Sequence, residues 1–304
     1  VVGARRLAKG TSLGAAEAAA LGAAGADKAI VAQLEAGDVH EDAAATAIAT
    51  ALAGPGLAVD RAATGRVNLR AETAGIIAVD AGAINAVNRI DPAVTVATVP
   101  EWQRLGPGGM VATIKIIPFA APGWAVEAAC AVGEAVWFMA PVVRSATLIE
   151  TEVGVAPRDK GRRSTQTRLA RLGVDLSSRV VVPHRSEPIA AAIAAAPGEM
   201  VLILTGSATS DGHDVGPEAV RAAGGEIIRY GMPVDPGNLI FTGRAGGKPV
   251  IGLPGCARSP ALNGADWVME RVICGVPPEE IDIAGMGVGG LLKEIPSRPR
   301  PRGG

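Results

Sequence analysis

From about residue 142 onward, short apolar runs alternate with segments of helical pattern. The run Met200-Val-Leu-Ile-Leu204 is apolar at every position and is typical of a buried strand. Similar runs lie at 142–151 and 179–184, and a helical segment follows at 216–225. Strands that alternate with helices of this length form a parallel sheet covered on both faces. The pattern therefore predicts an α/β fold, a three-layer α/β/α domain with a mostly parallel sheet.

The residues before this alternation follow a different pattern. The chain has 304 residues, which is too many for one ordinary core. Residues 1–34 are expected to form a strand, a helix and a strand, and 57–120 carries β-branched runs between turn signals. The resulting prediction is a β-rich N-terminal region at 1–141 (in an alternative division 1–34 and 35–141), the α/β domain at 142–290, and a disordered tail at 291–304.

Charge and cysteine content exclude several classes of protein. The formal net charge is −1, whereas neutralising nucleic-acid phosphates requires a basic surface. Cys130, Cys256 and Cys274 lie far apart without zinc-type spacing, so a reduced environment is expected. No apolar run reaches the ~18 residues of a membrane-spanning helix. We expect a cytoplasmic protein that binds neither nucleic acid nor membrane.

The loop after Met200–Leu204 is rich in glycine, hydroxyl and carboxylate residues. Its start at 205–207 can turn amides and hydroxyls toward an anionic ligand, because glycine permits close backbone approach. Asp211 and Asp214 would repel a phosphate, but they could hold Mg²⁺ that neutralises it. The spacing leaves open the alternative of a surface loop in which Asp214 only begins the next helix.

Three further segments are candidates for the same site. Pro236-Gly237 and Pro254-Gly255 each follow a strand, although isolated Pro-Gly pairs are more often ordinary turns. The segment 156–171 is strongly basic and leads from the first strand of the domain into its first helix, predicted over 165–173, at the edge where a parallel sheet binds ligands. Arginine suits bidentate phosphate binding, but a solvated helix face is an equal alternative. The cations of this segment are Arg158, Lys160, Arg162, Arg163, Arg168 and Arg171.

The order of these segments resembles the molybdopterin-binding domain of molybdenum-cofactor biosynthesis proteins. That family carries a Gly-Gly-x-Ser loop with a following Asp, a Gly-Gly-Glu strand, a Lys-Pro-Gly-Lys turn and a Leu-Pro-Gly-Asn-Pro-x-Ser loop. The match spans about 200–275, and more loosely 146–275. Residues 4–32 also resemble a segment that molybdopterin molybdotransferases carry just before this domain. The chain is thus identified as most similar to those molybdotransferases.

Several motif positions depart from the family. The first Gly of the Ser loop is Thr205, and the Lys-Pro-Gly-Lys turn is replaced by Asp235-Pro-Gly-Asn238. The family's Thr-Gly-Asp after the first strand is Thr151-Glu-Val153 here. Two positive charges are therefore missing from an anion site. The resemblance supports the fold more strongly than it supports catalysis.

The resemblance implies a function in molybdenum-cofactor biosynthesis: binding of molybdopterin or its adenylylated form, and Mg²⁺-assisted insertion of molybdate. A non-catalytic binder or carrier is the main alternative, and hydrolysis of a nicotinamide nucleotide is a third. Expected partners are the small-molecule pterin and nucleotide, a second copy of the chain, and a molybdoenzyme or cofactor-maturation protein. The implied catalytic and metal-binding residues are Asp211 and Asp214. The implied ligand-binding residues are Thr205, Gly206, Ser207, Pro236, Gly237, Pro254, Gly255, Arg258, Ser259, Arg162 and Arg163.

Overall fold

The structure is a computed structural model that describes residues 11–25, 28 and 30–292. In this part of the chain the helices are α1 Ala15–Ala23, α2 Glu41–Leu52, α3 Ala81–Ile90, α4 Gly123–Ala131, α5 Lys160–Ala170, α6 Ser186–Ala194, α7 Val215–Ala222 and α8 Gly264–Ile273. Short 3₁₀ helices lie at Gly255–Arg258, Pro278–Glu280 and Ala284–Gly287. Among the described residues, no helix combines the length and the apolar character needed to cross a membrane.

The strands are numbered in chain order. They are β1 Asp38–His40, β2 Leu57–Val59, β3 Arg66–Ala71, β4 Gly75–Val79, β5 Val94–Thr98, β6 Arg104–Leu105, β7 Met110–Ile116, β8 Ala120–Pro122, β9 Val136–Met139, β10 Ser145–Glu152, β11 Asp175–Pro183, β12 Met200–Leu204, β13 Glu226–Tyr230, β14 Phe241–Ala245 and β15 Lys248–Leu253.

The chain divides into two compact units. Of the described residues, those within 1–72, 77–101 and 107–138 form the N-terminal unit, and those within 73–76, 102–106 and 139–304 form the C-terminal unit. Two short segments of the region before residue 139 therefore belong to the C-terminal unit. Within that unit they pair with each other, since Gly75 lies opposite Leu105 and Ile76 opposite Arg104 in an antiparallel ladder.

The N-terminal unit contains an antiparallel sheet with strand order β2-β3-β7-β5. Helix α2 buries Ala44, Ala45, Ile48 and Leu52, because these residues recur at helical spacing along one face. The strand predicted at 27–34 is absent from its described residues, since no neighbouring strand pairs with them. The strand predicted at 5–11 lies outside the described residues except for Thr11.

The C-terminal unit is built on a six-stranded sheet with order β11-β10-β12-β15-β14-β13. Strands β11, β10, β12 and β15 run parallel, and β14 and β13 complete the sheet in antiparallel pairs. The prediction of a mostly parallel sheet is confirmed. Because the first four strands are parallel, their carboxyl ends meet at one edge of the sheet.

Helices cover both faces of this sheet. Alternate strand residues divide between two cores, since successive side chains of a strand point to opposite faces. Leu148 and Leu202 pack in one core with Leu169 of α5 and Val268 of α8. The opposite core holds Ile149, Val201 and Ile203 with Ile189, Ile193, Ala219 and Val220 of α6 and α7. The three-layer α/β/α prediction is therefore confirmed.

Helix α5 begins earlier than its sequence pattern indicates. A helix is predicted over 165–173, but the observed helix starts at Lys160, and Gly173 beyond its end adopts a φ of 68°. Gly161 makes this start possible. A Cβ at position 161 would lie 2.6 Å from Leu204 Cδ2 and 2.7 Å from Glu150 Oε1, so a larger residue would push α5 away from the strand ends.

The described chain ends against the C-terminal unit. The backbone N–H of Leu292 donates to the Asp235 carbonyl at 2.9 Å, and Leu291 forms a parallel bridge with Asp235. Residues 293–304 of the predicted tail lie outside the described part of the chain.

Candidate functional site

A cavity of about 310 Å³ lies where the carboxyl ends of β10 and β12 meet the start of α5. Ligands of parallel α/β sheets bind at this edge, outside the carboxyl ends of the strands. The volume is at the lower end of the range of about 300–1,000 Å³ for small-molecule sites. The lining residues are Thr151, Val153, Val155, Pro157, Arg158, Lys160, Gly161, Gly206 and Arg258.

Thr151 joins the strand ends beneath this cavity. Its side chain is buried, and its Oγ1 accepts a hydrogen bond from the Gly206 amide at 2.6 Å. The same hydroxyl shares a hydrogen bond of 2.9 Å with His184 Nδ1 at the end of β11. One threonine thus connects the ends of β10, β11 and β12. The Gly206 amide is already bonded to protein, so it is not a free donor for a ligand.

Three cations face the cavity. Arg158 and Lys160 are exposed and form no ion pair with any described residue. Arg258 donates through Nη2 to the Thr205 carbonyl at 2.5 Å. It also forms no ion pair with a described carboxylate. Cations without carboxylate partners at the rim of a cavity attract an anionic ligand. The site is therefore suited to a phosphate-bearing or otherwise anionic small molecule.

One comparison with known proteins covers the segment that contains this cavity. Residues 147–272 match the family described as the probable molybdopterin binding domain. This segment, which is less than half of the chain, is similar to that family. No curated protein matches the chain. A solved structure of the molybdopterin biosynthesis MoeA protein from Pyrococcus horikosii is 17% identical, with 82% of this chain and 81% of that chain covered at a TM-score of 0.30.

The matched segment contains every residue that lines the cavity. The lining residues run from Thr151 to Arg258, inside the matched range of 147–272. Of the residues named by the sequence analysis for ligand binding, Gly206 and Arg258 lie on its wall. Arg158 and Lys160 come from the basic segment that the sequence analysis also singled out.

Arg162 and Arg163 have a different environment from the one predicted for them. Arg162 Nε lies 2.6 Å from Asp159 Oδ1, and Arg163 Nε lies 2.9 Å from Asp159 Oδ2. The hydrogen bonds from Arg162 and then Arg163 hold the pKa of the Asp159 carboxyl well below its usual range. Arg163 lines a neighbouring cavity of about 460 Å³ together with Arg158 and Lys160. Binding of an anion by either arginine would have to compete with Asp159.

Arg168 is not available to a ligand. It is 3% exposed, and its Nε donates to Asp266 Oδ1 at 2.6 Å. Its two Nη atoms donate to the carbonyls of Ala257, Ser259 and Ala261 at 2.8, 2.7 and 3.0 Å. This buried guanidinium therefore fixes the loop that carries Arg258.

In the loop at 205–214, the side chains of Thr205, Asp211 and Asp214 bond to nearby backbone groups. Thr205 is buried and donates through Oγ1 to the Ser207 carbonyl at 2.6 Å. Asp211 Oδ1 accepts from the His213 amide at 2.7 Å. Asp214 caps α7, because its Oδ1 accepts from the Val215 amide at 2.8 Å and its Oδ2 from the Ser210 amide at 3.1 Å. Three of the four carboxylate oxygens thus stabilise the loop backbone.

This arrangement bears on the predicted magnesium ligands. In the described part of the chain, no group of three His, Cys, Asp or Glu residues is arranged to hold a metal ion. Asp211 and Asp214 offer only one oxygen between them that accepts no backbone hydrogen bond. The residues at this loop do not present a cage of oxygen ligands, and the assignment of Mg²⁺ to them stays a prediction.

The two Pro-Gly turns contact different helices. The Pro236 carbonyl accepts from the Gly264 amide at 2.8 Å, so Pro236-Gly237 packs on the start of α8 and does not line the cavity. Pro254 and Gly255 lead into the 3₁₀ helix that presents Arg258. Ser259 Oγ accepts from the Ala261 amide at 3.4 Å and turns into its own loop.

Sequence reasoning missed a buried ion pair below the cavity. Glu150 is fully buried, and its Oε2 accepts from Arg179 Nε at 2.6 Å. Its Oε1 has no hydrogen-bond partner among the described residues and lies beneath Gly161. The available signal was a lone acid at the end of the apolar run 146–149. His184 was also missed, because a single histidine favours a surface or capping interpretation.

Proposed function

We propose that this chain binds molybdopterin, or its adenylylated form, in the cavity between β10, β12 and α5. The phosphate would lie near Arg158, Lys160 and Arg258, which are the lining residues that carry positive charge. The observation that carries the proposal is this group of three unneutralised cations inside the segment 147–272, which matches the probable molybdopterin binding domain family.

The three cations compensate for the missing lysines of the family's Pro-Gly turn. That turn carries Asp235 and Asn238 here, so it supplies no positive charge. A hydrogen bond to a charged group contributes about 1.5–3 kcal/mol, so two lost contacts would weaken phosphate binding severely without replacement. Arg158 and Lys160, which precede or begin α5, supply positive charge at the cavity itself.

The neighbouring cavity supports the adenylylated form as a ligand. Arg158 and Lys160 line both the 310 Å³ and the 460 Å³ cavities, so the two spaces share a wall. A ligand with a second phosphate and a nucleoside could extend from one into the other. Ser164 and Thr167 of α5 also line the second cavity, and their hydroxyl groups donate to the carbonyls of Arg258 and Arg163.

Binding is the function that the geometry supports best. In the wall of the cavity, Arg158, Lys160 and Arg258 can bind and orient an anion. Insertion of molybdate with Mg²⁺ is the finer function that the sequence resemblance implies, and it stays a prediction. The cytoplasmic location, the homo-oligomer and a molybdoenzyme partner also stay predictions.

The test is the pterin and molybdenum content of protein purified from a host that makes molybdopterin. After denaturation and oxidation, we expect a fluorescent pterin derivative at near-stoichiometric amount, reduced in Arg258→Gln. Arg144→Gln is the matched control, because Arg144 is an exposed arginine just before β10, at the opposite edge of the sheet. Absence of pterin from the purified and the reconstituted protein would contradict the proposal. Molybdenum purified together with the pterin would show that the chain holds a molybdenum-containing form of the ligand.

A further inference from the structure

The wall of the cavity has a charged part and an apolar part. Arg158, Lys160 and Arg258 provide the charged part. Val153 and Val155 lie on the same cavity, and they are 58% and 81% exposed. A ligand that covers exposed valines binds more favourably, because apolar surface is then removed from water. A ligand that matches both parts must carry an apolar face and an anionic group.

The two valines are held as a fixed pair. Gly154 between them adopts a φ of 72°, which turns the chain tightly and sets Val153 and Val155 in an antiparallel bridge. Val153 also packs next to Gly206, just after the end of β12. A Cβ added at Gly206 would lie only 3.1 Å from Val153 Cγ2. The valine pair is therefore part of the cavity wall.

We propose that Val153 and Val155 are the specificity-determining residues of this site and contact the planar ring of the ligand. The inference rests on the proposed function, which it deepens by giving the orientation of the bound molecule. The heterocycle lies against the two valines, and the phosphate lies against Arg158, Lys160 and Arg258. The site then selects an anionic ligand that carries a planar heterocycle over a phosphate or pyrophosphate alone.

The test compares two probes on one set of variants. The probes are a 6-substituted pterin that carries a phosphate and inorganic pyrophosphate, each titrated by calorimetry against the full chain. The variant Val153→Thr/Val155→Thr keeps the β-branched shape but makes the wall polar. We expect it to bind the pterin phosphate about 10-fold more weakly, which corresponds to about 1.4 kcal/mol, and pyrophosphate unchanged.

Two controls separate the roles of ring and charge. Val142→Thr changes a valine that is 61% exposed and does not line the cavity, so it should leave both affinities unchanged. Lys160→Gln/Arg258→Gln should weaken both probes by similar factors. Melting temperatures of all variants, compared with that of the unmodified chain, show whether the fold is retained.

Three results would overturn the inference, and they can be told apart. An unchanged affinity of the threonine variant for the pterin phosphate would remove the valines from the site while leaving the proposed function intact. An equal loss of both probes would show that the substitutions act through the structure of the cavity. Failure of the unmodified chain to bind the pterin phosphate would contradict the proposed function and this inference together.

Discussion

The loops at 205–214 and 254–263 lie at the same edge of the main sheet, but their charged side chains have different roles. In the first loop, Asp211 and Asp214 accept hydrogen bonds from amides of their own segment. The second loop is held from outside, because the buried Arg168 of α5 donates to three of its carbonyls. Its own Arg258 is left to face the cavity.

The difference shows that polar content alone does not locate a ligand site. The loop at 205–214 has the more conspicuous sequence, yet its carboxylates mainly stabilise its backbone. The loop at 254–263 has the sequence of an ordinary Pro-Gly turn, yet its Arg258 lines the cavity. The contrast predicts that substitutions in the two loops have different consequences for stability and for binding.

The largest effect is expected when the external anchor is removed. Arg168→Met leaves the 1% exposed Asp266 as a buried carboxylate without its partner. Breaking such a pair costs about 3–5 kcal/mol of unfolding free energy, which urea denaturation would measure. The double variant Arg168→Met/Asp266→Leu is the matched control and should recover a large part of the loss. A single variant within about 1 kcal/mol of the unmodified chain would contradict the assigned role of Arg168.

A smaller effect is expected in the loop at 205–214. Asp214→Ala removes the N-cap of α7 and should lower the unfolding free energy by about 1 kcal/mol. Asp214→Asn keeps an N-cap side chain and should restore most of that stability. Both variants should retain bound pterin when purified from a host that makes molybdopterin. If Asp214→Asn folds normally but loses the pterin, the carboxylate charge has a role in the site and the assignment of a purely structural role is wrong.

The smallest effect is expected at Asp159, the exposed carboxylate that forms ion pairs with Arg162 and Arg163. Because hydrogen bonds from these arginines lower the pKa of Asp159, its stabilising contribution is present above the unfolded-state pKa of about 4 and is lost as the pH falls through the folded-state pKa. The difference in unfolding free energy between the unmodified chain and Asp159→Asn should therefore shrink between about pH 7 and about pH 3. It should also shrink at high salt, since the pair is exposed. A difference that grows on acidification would contradict this account.

The main features of the C-terminal fold could be predicted, because local pattern determines them. The run Met200–Leu204 is apolar throughout and forms a central strand of the sheet. The start of α5 could not be predicted in the same way. Residues 160–164 carry no apolar periodicity, and the helix forms there because Gly161 fits closely against Leu204 and Glu150.

Only two features of the site could be predicted from the sequence: the edge of the sheet at which it lies and the cations near it. The position of Arg168 shows why: its partner Asp266 is 98 residues away in sequence, so its burial depends on tertiary contacts. In the sequence alone, Arg168 resembles Arg158 as one more cation of a basic segment. Val153 and Val155 were missed because two valines beside a glycine are unremarkable until the cavity beside them is known.

The central claim is that the ligand is held by the cations of the cavity and not by the carboxylates of the loop at 205–214. The most direct test is the pterin content of two double variants purified side by side from a host that makes molybdopterin. Lys160→Gln/Arg258→Gln should lose most of its pterin, and Asp211→Asn/Asp214→Asn should keep an amount close to that of the unmodified chain. The reverse result, with pterin lost only from the carboxylate variant, would contradict the account.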